Sequence, residues 1–130
     1  MKTDEDIIED VQDYIFSTEL AEEVTGVIKG GKRPKGSTKE DILISVLANE
    51  NGQTQQCTVN VNIYVKDLPA SRDTERNKER LKELGRMSGK IFTVFRGKDY
   101  RARLLSQRMT DVGEDEHVIT NKIEYKQKNE

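Results

Sequence analysis

The sequence predicts an α+β domain: a mainly antiparallel sheet of four to five strands with two helices packed on one face, in the order α-β-β-β-α-β-β. Three observations carry this reading. Cys57, Val59, Val61, Ile63 and Val65 alternate with Thr58, Asn60, Asn62, Tyr64 and Lys66, the period of a strand with one buried and one wet face. Ile7, Ile8, Val11, Tyr14 and Ile15 recur at three and four residues, the period of an amphipathic helix. Asn51-Gly52, between two β-branched runs, is a strong short-range hairpin signal.

Taken in order, the first helix has Thr3 placed to cap it and Asp4, Glu5 and Asp6 in its first turn, where the helix dipole favours anions. Ser17-Thr18 interrupts it, Leu20 and Val24 continue for a turn or two, and Gly26 is expected to end it. Val27 to Lys29 reads as a short strand, and Asp41 to Ala48 as a longer one leading into the hairpin. After Leu68-Pro69, Ser71 is expected to cap a long helix from about Arg72 to Phe95. Its apolar face would be Leu81, Leu84, Met87 and Ile91, with charge pairs Asp73/Arg76, Glu75/Lys78, Glu79/Lys82 and Glu83/Arg86 outside. Gly85 and Gly89 weaken its second half, so Ile91 to Phe95 can separate as an apolar stretch. Tyr100 to Met109 and Val118 to Lys126 form a last hairpin around an acidic turn at Asp111 to Glu116, with His117, Ile119, Ile123 and Tyr125 on one face. A charged tail, Lys126 to Glu130, follows.

Composition bounds the rest. A chain of 130 residues fits one domain, and 33% apolar against 35% charged residues implies a thin core under a very polar surface. Net charge is −2, so any attraction to nucleic acid has to be local. One cysteine, Cys57, excludes an internal disulfide and a four-thiolate zinc site within one chain, and fits a reducing compartment. The acidic start and the lack of an apolar run approaching ~20 residues point to a cytoplasmic, soluble protein.

The loop "GKRPKGST" is one lysine short of a phosphate cradle. Against G-x-x-x-x-G-K-[ST], Gly31, Gly36 and Thr38 fall in place, but Ser37 stands where the lysine should be. Pro34 also removes a backbone donor, and the segment that follows is patterned as a strand rather than a helix. Lys29, Lys32, Arg33, Lys35 and Lys39 nevertheless make a run of cations without an acid among them. They suit either an acidic protein partner or, as the alternative, a small nucleic-acid-binding module built on residues 29 to 39. His117 reads as a core-edge histidine, Cys57 as a small buried hydrophobe, and the Glu124/Lys126 spacing as chance in so charged a chain. No catalytic, cofactor or metal residues are assigned, and no enzymatic activity is expected. Asp4, Asp6, Glu9, Asp10 and Asp13 form an acidic helix surface, solvated or facing a partner. Asn60, Asn62 and Tyr64 lie on the outer strand face, either simply exposed or covered by something polar such as a neighbouring subunit.

The run "GGKRPKGSTKEDILISVLANENGQTQQCTVNVNIYVKD" resembles small prophage-encoded proteins of Bacteroides-type bacteria, which share a basic R-P loop, an E-D-I strand start and an N-V-N-I-Y-V strand. The matching positions are Arg33-Pro34, Glu40-Asp41 and Asn60 to Val65. The order of elements is similar to that of the tail-completion and tail-terminator proteins of tailed phages, which sit where the tail tube meets the neck. The resemblance implies a non-enzymatic protein of the virion that forms a ring, completes or terminates the tail, and touches tail-tube and head-tail connector proteins. On that expectation the partner-facing residues are Lys32, Arg33 and Lys35 of the loop, Asp6, Glu9, Asp10 and Asp13 of the helix, and Asn60, Asn62 and Tyr64 of the strand.

Overall fold

The computed structural model describes residues 1–51, 55–68 and 76–128. Among these the order is α1 (Asp4–Phe16), α2 (Glu19–Glu23), β1 (Ile28–Gly30), β2 (Ile42–Asn51), β3 (Gln55–Lys66), α3 (Lys78–Phe92), β4 (Val94–Arg96), β5 (Tyr100–Val112) and β6 (Glu116–Gln127). The strands form one sheet in the order β1-β2-β3-β6-β5-β4, antiparallel except for the β1–β2 pair. The α+β class holds. The expected counts do not: six strands replace four to five, and three helices replace two.

Each difference has a local cause. Leu20 is fully buried, so the short α2 is pinned as an element of its own. Gly26 does not cap it; Val24 does, in an extended conformation. Gly26 is needed for close approach instead, because a Cβ there would stand 2.1 Å from the Asp41 carboxylate. Helix α3 begins at Lys78 rather than near Arg72, and its cap is Asn77, whose side chain accepts from Arg80 N–H. Ser71, Gly52 and the pairs built on Asp73 and Glu75 lie outside the described residues.

Helix α3 also runs through Gly85 and Gly89. Its buried stripe is Leu81, Leu84, Gly85, Ser88 and Phe92, while Met87 and Ile91 are only partly covered. Here packing overrides helix propensity: a Cβ on Gly85 would meet Met109 Cε at 2.6 Å. Phe95, assigned by sequence to the end of the helix or a separate stretch, lies in β4, stacked on Tyr14 with ring centroids 4.2 Å apart. Glu83 pairs with Arg80 rather than Arg86, and Arg80 also reaches Glu40 and Glu23, tying α3 to α2 and to the start of β2.

Thr3 caps α1 as expected, in a reciprocal box: its hydroxyl accepts from Asp6 N–H at 3.2 Å and its own N–H donates to Asp6 Oδ2 at 2.9 Å. Ile7, Val11 and Ile15 then face Ile42, Ile44, Val59, Val61, Ile63, Ile119 and Ile123, all fully buried. The strand register read from the alternation is therefore the one adopted, and all three helices cover the same face of the sheet. Lys126 lies in the last strand as expected, and Gln127, assigned to the charged tail, belongs to β6 as well.

One polar cluster sits inside this core. Gln107 Nε2 donates to Asn121 Oδ1 at 2.7 Å and to Gly85 O at 2.9 Å, and Asn121 Nδ2 donates to Ser88 Oγ at 3.2 Å. Ser88 and Asn121 are fully buried. Gln107→Ala should cost about 1–3 kcal/mol in urea unfolding, because Asn121 Oδ1 would lose its donor away from water, while Gly85 O keeps the Ser88 hydroxyl. Replacement of exposed Arg108 on the same strand by alanine should change stability by less than about 0.5 kcal/mol.

No helix among the described residues is long and apolar enough to cross a membrane.

Candidate functional site

The basic loop between β1 and β2 is held from within. Gly31 and Gly36 take positive φ values of 82° and 73°, which let the chain turn twice. Arg33 then folds back and forks. Its Nε donates to Asp41 Oδ2 at 2.7 Å, one terminal nitrogen to Glu116 Oε1 at 2.7 Å, and the other to Lys39 O at 2.7 Å. Its guanidinium also lies 4.4 Å from the Tyr64 ring centroid. Asp41 is 1% exposed and additionally accepts from Ser37 Oγ at 2.6 Å and Val27 N–H at 2.9 Å. Burial alone would push the Asp41 carboxyl up, but these donors outweigh it and hold the group below its ordinary value. Ser37, which takes the lysine position of the phosphate pattern, is thus an internal ligand of Asp41. Lys32, Lys35 and Lys39 remain exposed.

The helix carboxylates divide in the same way. Asp6 belongs to the cap. Asp10, expected on the open surface, instead accepts from Tyr125 Oη at 2.6 Å and pairs with Lys2, so it turns toward the sheet. Burial first, and Asp10 second, push the Tyr125 phenol well above its usual range. Glu5, Glu9 and Asp13 stay exposed at four-residue intervals, and Phe16, three residues further, is 56% exposed.

On the outer face of the sheet, opposite the helices, the sequence placed Asn60, Asn62 and Tyr64 but missed the cations that β4, β5 and β6 bring beside them. The register sets Arg96, Arg101 and Lys126 side by side across β4, β5 and β6. Arg103 and Glu124 pair in the next row, Ser106, Lys122 and Asn60 stand in the one after, and Arg108, Thr120 and Asn62 in the fourth. Arg96, Arg101, Arg108 and Lys122 are exposed and form no ion pair among the described residues. Arg103 holds the Glu124 carboxyl below its ordinary value. Val94, 72% exposed, borders a shallow depression with Arg101, Arg103, Glu124 and Lys126. Asn60 and Asn62 occupy the centre of this face, each with a buried Oδ1 that finds no donor among the described residues. The alternation at Arg101, Arg103 and again at Ser106, Arg108, Thr110 was available in the sequence. A β-bulge between Leu104 and Ser106 shifts its phase and hid it.

A second bulge, between Val46 and Ala48 of β2, stands at the same level, because Val46 pairs Val59, Val59 pairs Ile123, and Ile123 pairs Leu104. The extra residues, Leu47 and Leu105, are 58% and 42% exposed.

His117 is buried at the sheet end, with Nδ1 2.7 Å from Asp67 and Nε2 2.6 Å from Asp111. Cys57 is buried, and burial pushes its thiol up to about 12, which keeps it protonated. Among the described residues no group of three or more His, Cys, Asp or Glu side chains is placed to hold a metal ion. The fold thus sets guanidinium and ammonium groups on one side of the sheet and helix carboxylates on the other. No protein-family model matches the chain, and a search of the curated proteins finds no match.

Proposed function

We propose that the chain is a non-enzymatic assembly subunit that works through its surfaces, forming a ring at the head-tail neck of a phage or prophage and completing or terminating the tail. The observation that supports assembly is the outer sheet face. It carries four exposed cations that pair with no described residue, beside two asparagine oxygens buried without a donor. A buried acceptor lacking a donor is costly, so such a face is best satisfied when another protein covers it. The phage setting rests on the resemblance carried by Arg33-Pro34, Glu40-Asp41 and Asn60 to Val65. In this reading the internally paired Arg33 shapes the loop, while Lys32 and Lys35 contact the partner.

The test is assembly of purified tail-tube protein with and without this chain, followed by electron microscopy and light scattering. The expected result is that substoichiometric amounts stop tube growth and that the protein sits at one tube end. Tubes of unchanged length with no bound chain would overturn the proposal.

The same cations favour a second reading, a nucleic-acid-binding module that uses the sheet face rather than the loop alone. It requires DNA or RNA affinity that falls steeply as salt rises, with Arg101→Glu removing it.

A further inference from the structure

We infer that the outer sheet face is covered by the acidic helical shell of a second copy of this chain, so that subunits associate head to tail. This rests on the assembly reading above and names its partner.

Charge is segregated along the chain. Residues 3–28 contain nine carboxylates, Asp4, Glu5, Asp6, Glu9, Asp10, Asp13, Glu19, Glu22 and Glu23, and no lysine or arginine. They fold into α1 and α2, on one side of the sheet. Arg96, Arg101, Arg103, Arg108 and Lys122 fold onto the other side. Glu5, Glu9 and Asp13 form no ion pair among the described residues, and neither do Arg96, Arg101, Arg108 and Lys122. Among the described residues, two surfaces of opposite sign, each with charges that form no ion pair, thus stand back to back.

Their spacing is compatible. Helical residues four apart lie about 6 Å apart along the axis. Strand residues two apart lie about 7 Å apart. A helix laid along the β5–β6 pair therefore sets Glu5, Glu9 and Asp13 against three successive rows, those of Arg101, Arg103 and Lys122, with Arg108 one row beyond. Helix α1, at 13 residues, is about 20 Å long, and four strand spacings across the sheet come to about 19 Å, so either orientation stays on the face. Charge pairs mainly orient such a contact, and an apolar anchor supplies much of the affinity. Phe16 ends the acidic stripe, and Val94 beside the depression on β4 offers it an exposed apolar seat.

Because the two surfaces differ and lie on opposite sides, the contact is heterologous. It closes into a ring if the rotation between subunits permits and extends into a filament otherwise. A second copy also accounts for both patches at once, whereas nucleic acid would use only one of them. On the sheet face the ring that could stack on bases is Tyr64, which Arg33 already occupies.

Sedimentation velocity and light scattering test this with full-length protein. The wild type should form a discrete oligomer that loosens as salt rises. A helix variant, Glu9→Lys with Asp13→Lys, and a sheet variant, Arg101→Glu with Arg108→Glu, should each raise the dissociation constant at least tenfold with unchanged circular dichroism. Phe16→Ser should weaken association in the same direction. Mixed in equal amounts, the two charge variants should assemble again, since the lysine helix of one matches the glutamate sheet of the other, and their unaltered faces match as well. A mixture that stays monomeric overturns the inference, and so does a monomeric wild type. Loss of affinity for a short DNA duplex in the sheet variant, with self-association intact, overturns it in favour of nucleic acid. A wild type that stops tail-tube growth yet never self-associates defeats this inference and leaves the assembly reading standing; one that does neither defeats both.

Discussion

Val61→Asp should abolish folding or lower stability by roughly 4 kcal/mol or more, whereas Asn62→Asp, one residue away, should cost about 1 kcal/mol at most. Val61 is fully buried on β3 between Ile44 of β2 and Asn121 of β6. A carboxylate there would lose its water and find no cation, a penalty comparable to the whole margin of a domain this size. Asn62 points the other way, into the row that holds Thr120 and Arg108, where an added negative charge has cationic neighbours. Soluble yield and urea unfolding of the two variants check the pair. Equal behaviour would mean that the strand is out by one residue, since such a slip exchanges the faces.

Arg33→Ala is the second large effect, expected at about 3 kcal/mol, or a fall of roughly 10 °C in Tm. The loss comes less from the missing attraction than from what stays behind: Asp41, 1% exposed, would face only Ser37 Oγ and Val27 N–H, and Glu116 would lose its guanidinium. Arg33→Lys should recover a minority of this, because one ammonium cannot serve Asp41, Glu116 and Lys39 O simultaneously. Lys32→Ala and Lys35→Ala, both exposed, should be nearly neutral for stability. The pH dependence has a definite sign. The Asp41 carboxyl is held below its ordinary value of 3.8, so the stability it contributes is fully present above that value and is lost as pH falls beneath it. Acid unfolding of the Arg33→Ala variant should accordingly begin at higher pH than that of the wild type.

Short-range periodicity determined much of this protein without any structure. The alternation from Cys57 to Val65 specified which residues of β3 face inward, the three-and-four spacing from Ile7 to Ile15 specified the buried stripe of α1, and Thr3 specified where that helix begins. These are local properties, set by backbone geometry and by which side chains leave water, and a window of ten residues contains them. The candidate surface was only half legible for the opposite reason. The loop cations and helix carboxylates were visible as charges, but whether each is free depends on partners far along the chain. Arg33 is neutralised by Glu116, 83 residues away, and Asp10 meets Tyr125 at a separation of 115. The basic face needs β4, β5 and β6 side by side and a bulge at Leu105 that no local pattern announces. Helix α3 persists through Gly85 because Met109 and Gln107 press on it from β5, not because its own residues favour it. Periodicity decides which side of an element is buried, and only the tertiary fold decides which charges remain for a partner, because neutralisation is settled by distance in space.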